Sequence, residues 1–163
     1  MTKTKQPSQN QYFPAGQLPM REMSKSLPIA LLRARESIMG DFRSLLHEYD
    51  LTDQQWRVLR ALAESLEVEV VGLADRCVIL QPSVSRIVKK LEDRGLISRR
   101  NSSSDRRRSH ITMTAKGRDL FQSIAPRAEL AYEVIIDRFG SKKLTQLLDL
   151  LDDLSQAMTG NMG

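Results

Sequence analysis

The stretch QPSVSRIVKKLEDRGLI, at residues 81–97, decides the fold of this 163-residue chain. Pro82 suits the first turn of a helix, where a backbone N–H would have no hydrogen-bond partner within the helix, and Gly95 suits the end of the helix. At about 100° per residue, the apolar side chains of the stretch fall on one face of that helix. They are Val84, Ile87, Val88 and Leu91. The opposite face is polar and cationic, so we predict a helix that docks on a core and offers hydrogen-bond donors to a partner.

The residues before this helix predict the first half of a helix-turn-helix. A short helix is expected over residues 70–77, and a tight turn over residues 78–81 separates it from the next helix. In helix-turn-helix proteins the second helix lies in the major groove, where arginine can donate two hydrogen bonds to guanine and lysine can contact phosphates. We therefore predict DNA contact by the outward side chains of the second helix. They are Pro82, Ser83, Ser85, Arg86, Lys89 and Lys90.

A basic hairpin is predicted next. Two alternating runs, at residues 97–100 and 109–113, flank a long polar tip. The tip holds three arginines, which are suited to the narrow, electronegative minor groove of A·T-rich DNA. They are Arg106, Arg107 and Arg108. Asp105 would repel phosphate unless it pairs with a neighbour, so we expect its carboxylate to orient Arg107. The alternative is an ordinary charged hairpin that faces solvent.

The basic residues are concentrated in this part of the chain. Residues 81–118 hold eleven lysines and arginines against three acids, a net charge of +8, whereas the rest of the chain sums to −3. The overall net charge of +5 therefore belongs to one helix and one hairpin. A patch of this kind favours association with a polyanion, here double-stranded DNA.

Helical patterns flank this segment on both sides. A long first helix is predicted over residues 27–49, and Thr52 with Gln55 forms a capping box that opens a second helix. After the hairpin, Thr114 is the expected N-cap of another long helix, in which Pro126 should bend the axis or mark a break. The predicted fold class is therefore mainly α with a small β wing.

A narrow leucine stripe marks the last predicted helix, for which Ser141 is the expected cap. The stripe has helical spacing and consists of Leu144, Leu147, Leu148, Leu151 and Leu154, continued by Met158. Such a narrow apolar face suits a seam between two copies of the chain. Packing within one chain is the alternative.

Residues 1–26 are expected to form a flexible basic arm. They hold three of the six prolines, many Gln, Ser and Asn residues, and no acid before Glu22. Two interpretations are open: the arm has no role, or it embraces another subunit or touches phosphates through its cations. Those cations include Lys3, Lys5 and Arg21.

Composition and spacing exclude several classes of function. Hydrophobic residues make up 40% of the chain, and no apolar run approaches the ~18 residues of a membrane span. The single Cys77 rules out an internal disulfide and fits a reducing cytoplasm, and its apolar neighbours should raise the pKa of its thiol. His47 and His110 lack the spacing of a zinc site, so we expect neither metal nor cofactor. No nucleophile–base pair or phosphate loop occurs, which argues against an enzyme.

The predicted elements, taken in chain order from the first long helix to the last, resemble the MarR family of winged-helix transcription regulators. The resemblance extends over about residues 27–158. Three motifs carry the resemblance. They are Leu51-Thr52-x-x-Gln55-x-x-Val58-Leu59, then Pro82-Ser83-Val84-Ser85-Arg86-x-Val88-x-x-Leu91-Glu92-x-x-Gly95-Leu96-Ile97, then Asp105-Arg106-Arg107 leading to Thr112-Met113-Thr114-x-x-Gly117. The resemblance implies a homodimer whose first and last two helices interlock, with its recognition helices about 34 Å apart on a pseudo-palindromic operator. It divides the chain into an arm (1–26), a helical dimerisation region (27–50 and 114–160) and a winged helix-turn-helix DNA-binding domain (51–113).

Two further stretches are similar to the subgroup of this family that represses homoprotocatechuate degradation operons. They are Leu31-Leu32-x-Ala34-Arg35-Glu36-x-x-Met39-x-x-Phe42-Arg43 and Leu51-Thr52-Asp53-Gln54-Gln55-Trp56-Arg57. The similarity implies a phenolic or aromatic acid, or its thioester, as effector, held between the first helices and the DNA-binding lobe by aromatic side chains and a cation. The candidates are Arg35, Met39, Phe42, Arg43, Trp56, Arg57 and Arg60. Core packing is the alternative for the apolar candidates, and subunit bridging for the arginines.

Two questions stay open at this point. Both repression and activation are compatible with the sequence. The alternative function is a winged-helix module that binds another protein and responds to no ligand.

Overall fold

The computed structural model describes residues 22–101 and 109–160, and this part of the chain is mostly helical. A 3-10 turn at Met23–Lys25 comes first. The elements that follow are α1 (Leu27–Glu48), α2 (Asp53–Glu64), β1 (Val68–Glu69), α3 (Leu73–Arg76), α4 (Gln81–Asp93), β2 (Ile97–Asn101), β3 (Ser109–Met113), α5 (Ala115–Phe139) and α6 (Ser141–Thr159). The predicted fold class, mainly α with a small β wing, is confirmed.

The chain divides into two compact units within α1, between Ser37 and Ile38. The first unit contains the 3-10 turn and the first half of α1, and none of its described side chains is buried. The second unit contains the hydrophobic core, the sheet and the helix-turn-helix.

Side-chain caps start two of the helices, as predicted. Thr52 Oγ1 accepts a hydrogen bond from the backbone N–H of Gln55 at 3.2 Å, and Gln55 Oε1 accepts one from the N–H of Thr52 at 2.9 Å. At α5, Thr114 Oγ1 accepts from the N–H of Gly117 at 3.0 Å. Each cap satisfies a backbone donor that the first helical turn leaves unpaired, and so fixes the residue at which the helix begins.

The sheet contains three antiparallel strands in the order β1-β3-β2, with β3 in the centre. The predicted hairpin is confirmed: Ile97 lies opposite Met113 at its base, and Asn101 lies opposite Ser109 at the last pair toward the tip. β2 therefore continues one residue beyond its predicted end. The hairpin is anchored on the core at its base, because Ile97 and Met113 are both buried.

β1 is a strand that the sequence does not predict. Val68 pairs with Ile111 of β3 and is buried. Two residues are too short to show the alternation that predicts a strand. β1 ends at Glu69, the backbone N–H of Val70 still donates to the carbonyl of Ser109 at 2.9 Å, and α3 begins only at Leu73, so the predicted helix start at residue 70 is wrong.

The apolar face of α4 is buried, as its sequence pattern predicts. Its side chains each expose 5% or less of their surface; they are Val84, Ile87, Val88 and Leu91. This face packs against α2, α3 and β2. Burial of an aliphatic side chain contributes roughly 1.5–3 kcal/mol, so four of them hold α4 firmly on the core. The opposite face of the helix is thereby presented outward.

α5 continues without interruption through Pro126, so of the two outcomes predicted for this proline the break is wrong, and the bend of the axis stays a prediction. A proline inside a helix removes one backbone hydrogen bond and crowds the preceding turn. The residues two positions to either side, Ile124 and Ala128, are buried in the core and keep this part of α5 in place. Pro126 itself is exposed.

Gly140 joins α5 to α6 with a φ of +94°, a conformation that favours glycine. It occupies the N-cap position of α6, and Ser141, the predicted cap, is the first helical residue.

Across residues 22–101 and 109–160, no helix has both the length and the apolar character needed to cross a lipid bilayer.

Candidate nucleic-acid interface and aromatic cavity

The predicted DNA-contacting side chains lie together on the outward face of α4. Five of them are exposed and Ser83 is half-buried; the exposed ones are Pro82, Ser85, Arg86, Lys89 and Lys90. Lys89 Nζ lies 3.1 Å from Asp93 Oδ1, in an exposed ion pair that contributes little to stability. Within the described residues, Arg86 and Lys90 make no hydrogen bond or ion pair. This face can therefore offer several cationic donors to an anionic partner.

The base of the hairpin is described, whereas its tip is not. Arg99 Nη2 donates to Ser109 Oγ at 2.9 Å across the two strands, and Arg100 is exposed. Asp105, Arg106, Arg107 and Arg108 lie outside the described residues, as do residues 1–21 of the N-terminal arm. The minor-groove contact, the pairing of Asp105 with Arg107 and the role of the arm therefore stay predictions.

Three cations of the basic segment are directed at the protein itself. Lys116 Nζ donates to the carbonyl of Arg94 at 2.8 Å, and Arg118 Nη1 donates to that of Met113 at 2.9 Å. Arg94 in turn donates to the carbonyls of Tyr49 and Asp50. The charge count along the sequence includes these three cations in the segment of net charge +8, although they are not among the predicted DNA contacts. In the described residues they bond to the backbone of the protein, so the outward cations of the segment lie on α4 and at the base of the hairpin.

A cavity of about 290 Å³ lies in the second unit, between α2, α5 and the end of α1. Its lining residues are Phe42, Trp56, Arg60, Phe121, Ala125, Ala128, Glu129 and Tyr132. The rings of Trp56 and Phe121 are stacked, with centroids 4.9 Å apart and an angle of 19° between their planes. Four aromatic rings, one guanidinium group and one carboxylate therefore surround a space of the size of a small ligand.

The structure brings together some of the predicted effector residues. Phe42, Trp56 and Arg60 all line the cavity. Met39 is half-buried and Arg43 is exposed, and neither is among the lining residues. Arg35 belongs to the first unit, where its Nη1 lies 3.0 Å from Glu36 Oε1.

Arg57 has a different position from its neighbours on α2. Its Nη1 donates to the carbonyl of Cys77 at 2.7 Å and to that of Val78 at 2.9 Å, in the turn that precedes α4. Its Nη2 lies 3.7 Å from Asp53 Oδ2. It is not among the residues that line the cavity.

The sequence does not predict the wall that α5 contributes to the cavity. Phe121, Glu129 and Tyr132 lie more than sixty residues beyond Trp56 in the chain, so no local spacing connects them with α2. The helical period of α5 does place them on the side that faces α2. This signal becomes informative only once the packing of α5 on α2 is known.

An ion pair joins the end of α1 to α5. Arg127 forms two parallel hydrogen bonds to Glu48, at 2.6 and 3.0 Å, and its guanidinium carbon lies 5.8 Å from the centroid of the Tyr49 ring. The hydrogen bond from Arg127 lowers the pKa of the Glu48 carboxyl group. The bidentate geometry fixes the orientation of both side chains.

Cys77 is buried beneath the turn before α4, and burial raises the pKa of its thiol. This confirms the direction predicted from its apolar neighbours. His110 Nε2 lies 3.7 Å from Glu69 Oε1. In the described part of the chain, no three His, Cys, Asp or Glu side chains are grouped in a way that could hold a metal ion.

Comparison with known proteins identifies relatives along most of the chain. Residues 49–108 match the profile of the MarR family. The chain is 40% identical over 131 residues to the homoprotocatechuate degradative operon repressor of Escherichia coli, and this alignment covers 80% of this chain and 88% of that protein. It is 36% identical over 139 residues to the HTH-type transcriptional regulator FarR of Neisseria gonorrhoeae, which covers 85% of this chain and 95% of that protein.

Two solved structures have a similar fold. The transcriptional regulator PA4135 superposes with a TM-score of 0.75 at 41% identity, covering 80% of this chain and 96% of that chain. NadR in complex with 4-hydroxyphenylacetate superposes with a TM-score of 0.71 at 34% identity, covering 93% of this chain and 99% of that chain.

Proposed function

The chain belongs to the MarR family of transcriptional regulators, and from this premise we propose that it is a dimeric, operator-binding repressor of an aromatic-acid catabolic operon. In this proposal a phenolic or aromatic acid, or its thioester, releases the repressor from DNA in the cytoplasm. The observation that carries the proposal is that α4 presents a cationic face outward while its apolar face is buried on the core. The aromatic cavity is lined by helices that pack on the same core.

The DNA-binding role is supported by what each outward side chain of α4 can do. Arg86 is suited to the O6 and N7 atoms of guanine, and Ser83 and Ser85 to base edges or phosphates. Lys89 and Lys90 are suited to phosphates, and the Lys89–Asp93 pair is weak enough to exchange for one. The hairpin tip, with Arg106, Arg107 and Arg108, is proposed to enter the minor groove.

A homodimer is supported by apolar side chains that one chain leaves uncovered. In the leucine stripe of α6, Leu147 and Leu148 are exposed, and Leu144, Leu151 and Leu154 are half-buried. The C-terminal half of α5 adds the exposed Leu130, Val134 and Phe139. An exposed apolar surface of this extent marks a protein interface. We assign residues 27–50 and 114–160 to dimerisation and residues 51–113 to DNA binding.

An aromatic acid is the effector that the cavity suits best. Trp56 and Phe121 can hold a ring, and Arg60 can pair with a carboxylate. Glu129 offers an acceptor, which suits the hydroxyl group of a phenol. The solved structure of NadR contains 4-hydroxyphenylacetate, a compound with both groups. The effector would stabilise the dimer form whose α4 helices are misplaced for the operator, and repression would end through that difference in affinity.

We expect operator binding to weaken steeply as salt is added. If each chain meets about five phosphates, the log–log slope of affinity against salt for the dimer is near −9, because each neutralised phosphate releases counterions. Fluorescence anisotropy with duplex DNA from upstream of the gene for this protein, at a series of KCl concentrations, measures the slope. A slope near zero would exclude the cationic face of α4 and the hairpin as the DNA surface.

Replacing Arg60 by glutamine should weaken binding of 4-hydroxyphenylacetate by roughly 10–100-fold, since a hydrogen bond to a charged group contributes about 1.5–3 kcal/mol. Titration calorimetry measures the affinity, and anisotropy shows whether the compound releases operator DNA. Arg76→Gln is the matched control, because Arg76 pairs with Glu64 and is not among the residues that line the cavity. Equal affinities of the wild type and Arg60→Gln would show that Arg60 does not bind the carboxylate.

A further inference from the structure

The turns that begin α2 and α4 share an unusual backbone conformation. In the described residues, two residues other than glycine have a positive φ: Asp50 at 54° and Val78 at 49°. Asp50 lies just before α2, and Val78 lies just before α4. The left-handed region is unfavourable for residues with a Cβ atom, above all for a β-branched residue such as valine. Aspartate adopts this region more readily than valine does, so it is the turn at Val78 that most needs contacts to hold it.

An arginine from the other helix holds each of these turns. Arg57 of α2 donates Nη1 to the carbonyls of Cys77 and Val78, at 2.7 and 2.9 Å. Arg94, the C-cap residue of α4, donates Nη1 to the carbonyl of Asp50 and Nη2 to that of Tyr49, the latter at 3.1 Å. The arrangement is reciprocal: each helix is tied by an arginine to the turn from which the other helix begins.

Both side chains point into the protein rather than toward solvent. The Arg57 side chain is 33% exposed and that of Arg94 is 30% exposed, whereas that of Lys89 on the outward face of α4 is 74% exposed. Arg57 Nε is buried and has no hydrogen-bond partner among the described residues. Between them the two guanidinium groups donate to four backbone carbonyls of the protein itself.

We propose that Arg57 and Arg94 are positioning residues that fix the orientation of α4 against α2 for operator binding, without contacting DNA. The proposal rests on the proposed function, because it describes how the DNA-binding helix is held in place. It also connects the cavity with that helix. Arg57 lies on α2 between the cavity residues Trp56 and Arg60, so one helix contributes both to the cavity wall and to the contact with the turn before α4.

The test compares DNA affinity with its dependence on salt. The probe is a duplex that the full-length wild-type protein selects from a random pool. Arg57→Gln and Arg94→Gln should each bind it about tenfold more weakly, because the lost bonds join a charged donor to backbone carbonyls. The log–log salt slope should stay at the wild-type value, since no phosphate contact is lost. A decrease in the steepness of the slope by roughly 2 per dimer would instead reveal a direct phosphate contact and overturn the proposal.

The control variant is Arg76→Gln, which removes the same charge from α3, next to both helices. Arg76 is exposed and bonds Ser65 Oγ and Glu64 Oε2 at the surface, so its loss should leave affinity within about twofold of the wild type. Arg57→Lys supplies a second measurement: lysine keeps the charge and can reach a carbonyl, and should recover part of the affinity. If Arg57→Gln does not fold, Arg94→Gln and Arg57→Lys decide the question.

The outcomes separate this inference from the proposed function. If the wild type selects no sequence from the pool, the proposed function fails. If the wild type selects a sequence and the folded Gln variants bind it as tightly as the wild type does, only the positioning role fails.

Discussion

Replacing Gly117 by alanine should destabilise the folded chain by about 3 kcal/mol, which is severe for a change of one methyl group. A Cβ at this position would lie 2.1 Å from the carbonyl oxygen of Leu96 and 2.8 Å from Cγ of Met113. The Leu96 oxygen is a backbone atom beside β2, and its carbonyl accepts from the N–H of Thr114, so it cannot move without disturbing the start of α5. The glycine is required here for space, and its φ is not the reason.

Urea unfolding of the wild type and Gly117→Ala, at one fixed protein concentration because a dimer is proposed, measures the difference. Gly72→Ala is the matched control. The nearest atom to a Cβ at Gly72 is the Glu69 oxygen at 3.9 Å, and its φ of −79° is open to any residue. Gly72→Ala should therefore unfold at nearly the wild-type midpoint. Equal midpoints for both variants would show that β2 and α5 can separate at little cost.

Replacing Arg86 by alanine should weaken binding to the selected operator by about 1–3 kcal/mol and relax base preference at one position in each half-site. Arg86 is exposed on the outward face of α4, and its guanidinium group has no partner among the described residues to draw it away. A fork onto one guanine discriminates among bases, so binding to random duplex should change far less than binding to the operator.

Anisotropy with the operator and with a random duplex of equal length gives both affinities. Lys90→Ala is the comparison, because a phosphate contact contributes to every sequence alike and its loss should lower both affinities and flatten the salt slope. If Arg86→Ala lost equal affinity for the two duplexes, Arg86 would be a phosphate contact and not a base reader.

The parts of the fold that follow from short-range chemistry could be predicted from the sequence. The two faces of α4 depend only on its helical period, and the caps at Thr52 and Thr114 depend on residues three positions apart. β1 could not be predicted, because Val68 becomes a strand only through its pairing with Ile111, more than forty residues away. The same kind of distance hid the α5 side of the cavity.

The roles of individual charged residues also could not be predicted from the sequence. The sequence places Arg94 among the cations of the basic segment, and a count of charges gives it the same weight as Arg86. The direction of the side chain distinguishes the two residues: Arg94 donates to a backbone carbonyl before α2, whereas Arg86 is exposed on the outward face of α4. The composition of a segment indicates the kind of partner, and the packing of each side chain decides which residues meet it.

The ladder between β2 and β3 ends at Asn101 and Ser109, and β3 is held on its other edge by β1. The sheet therefore fixes Asn101 and Ser109, the two residues between which the chain continues from one strand to the next. The closure entropy of a connection grows slowly with its length, by only about 0.6 kcal/mol for each doubling. Insertions and charge changes between Asn101 and Ser109 should be tolerated by the fold, which would allow groove preference to diverge between related regulators, or to be grafted from one to another, while the core stays unchanged.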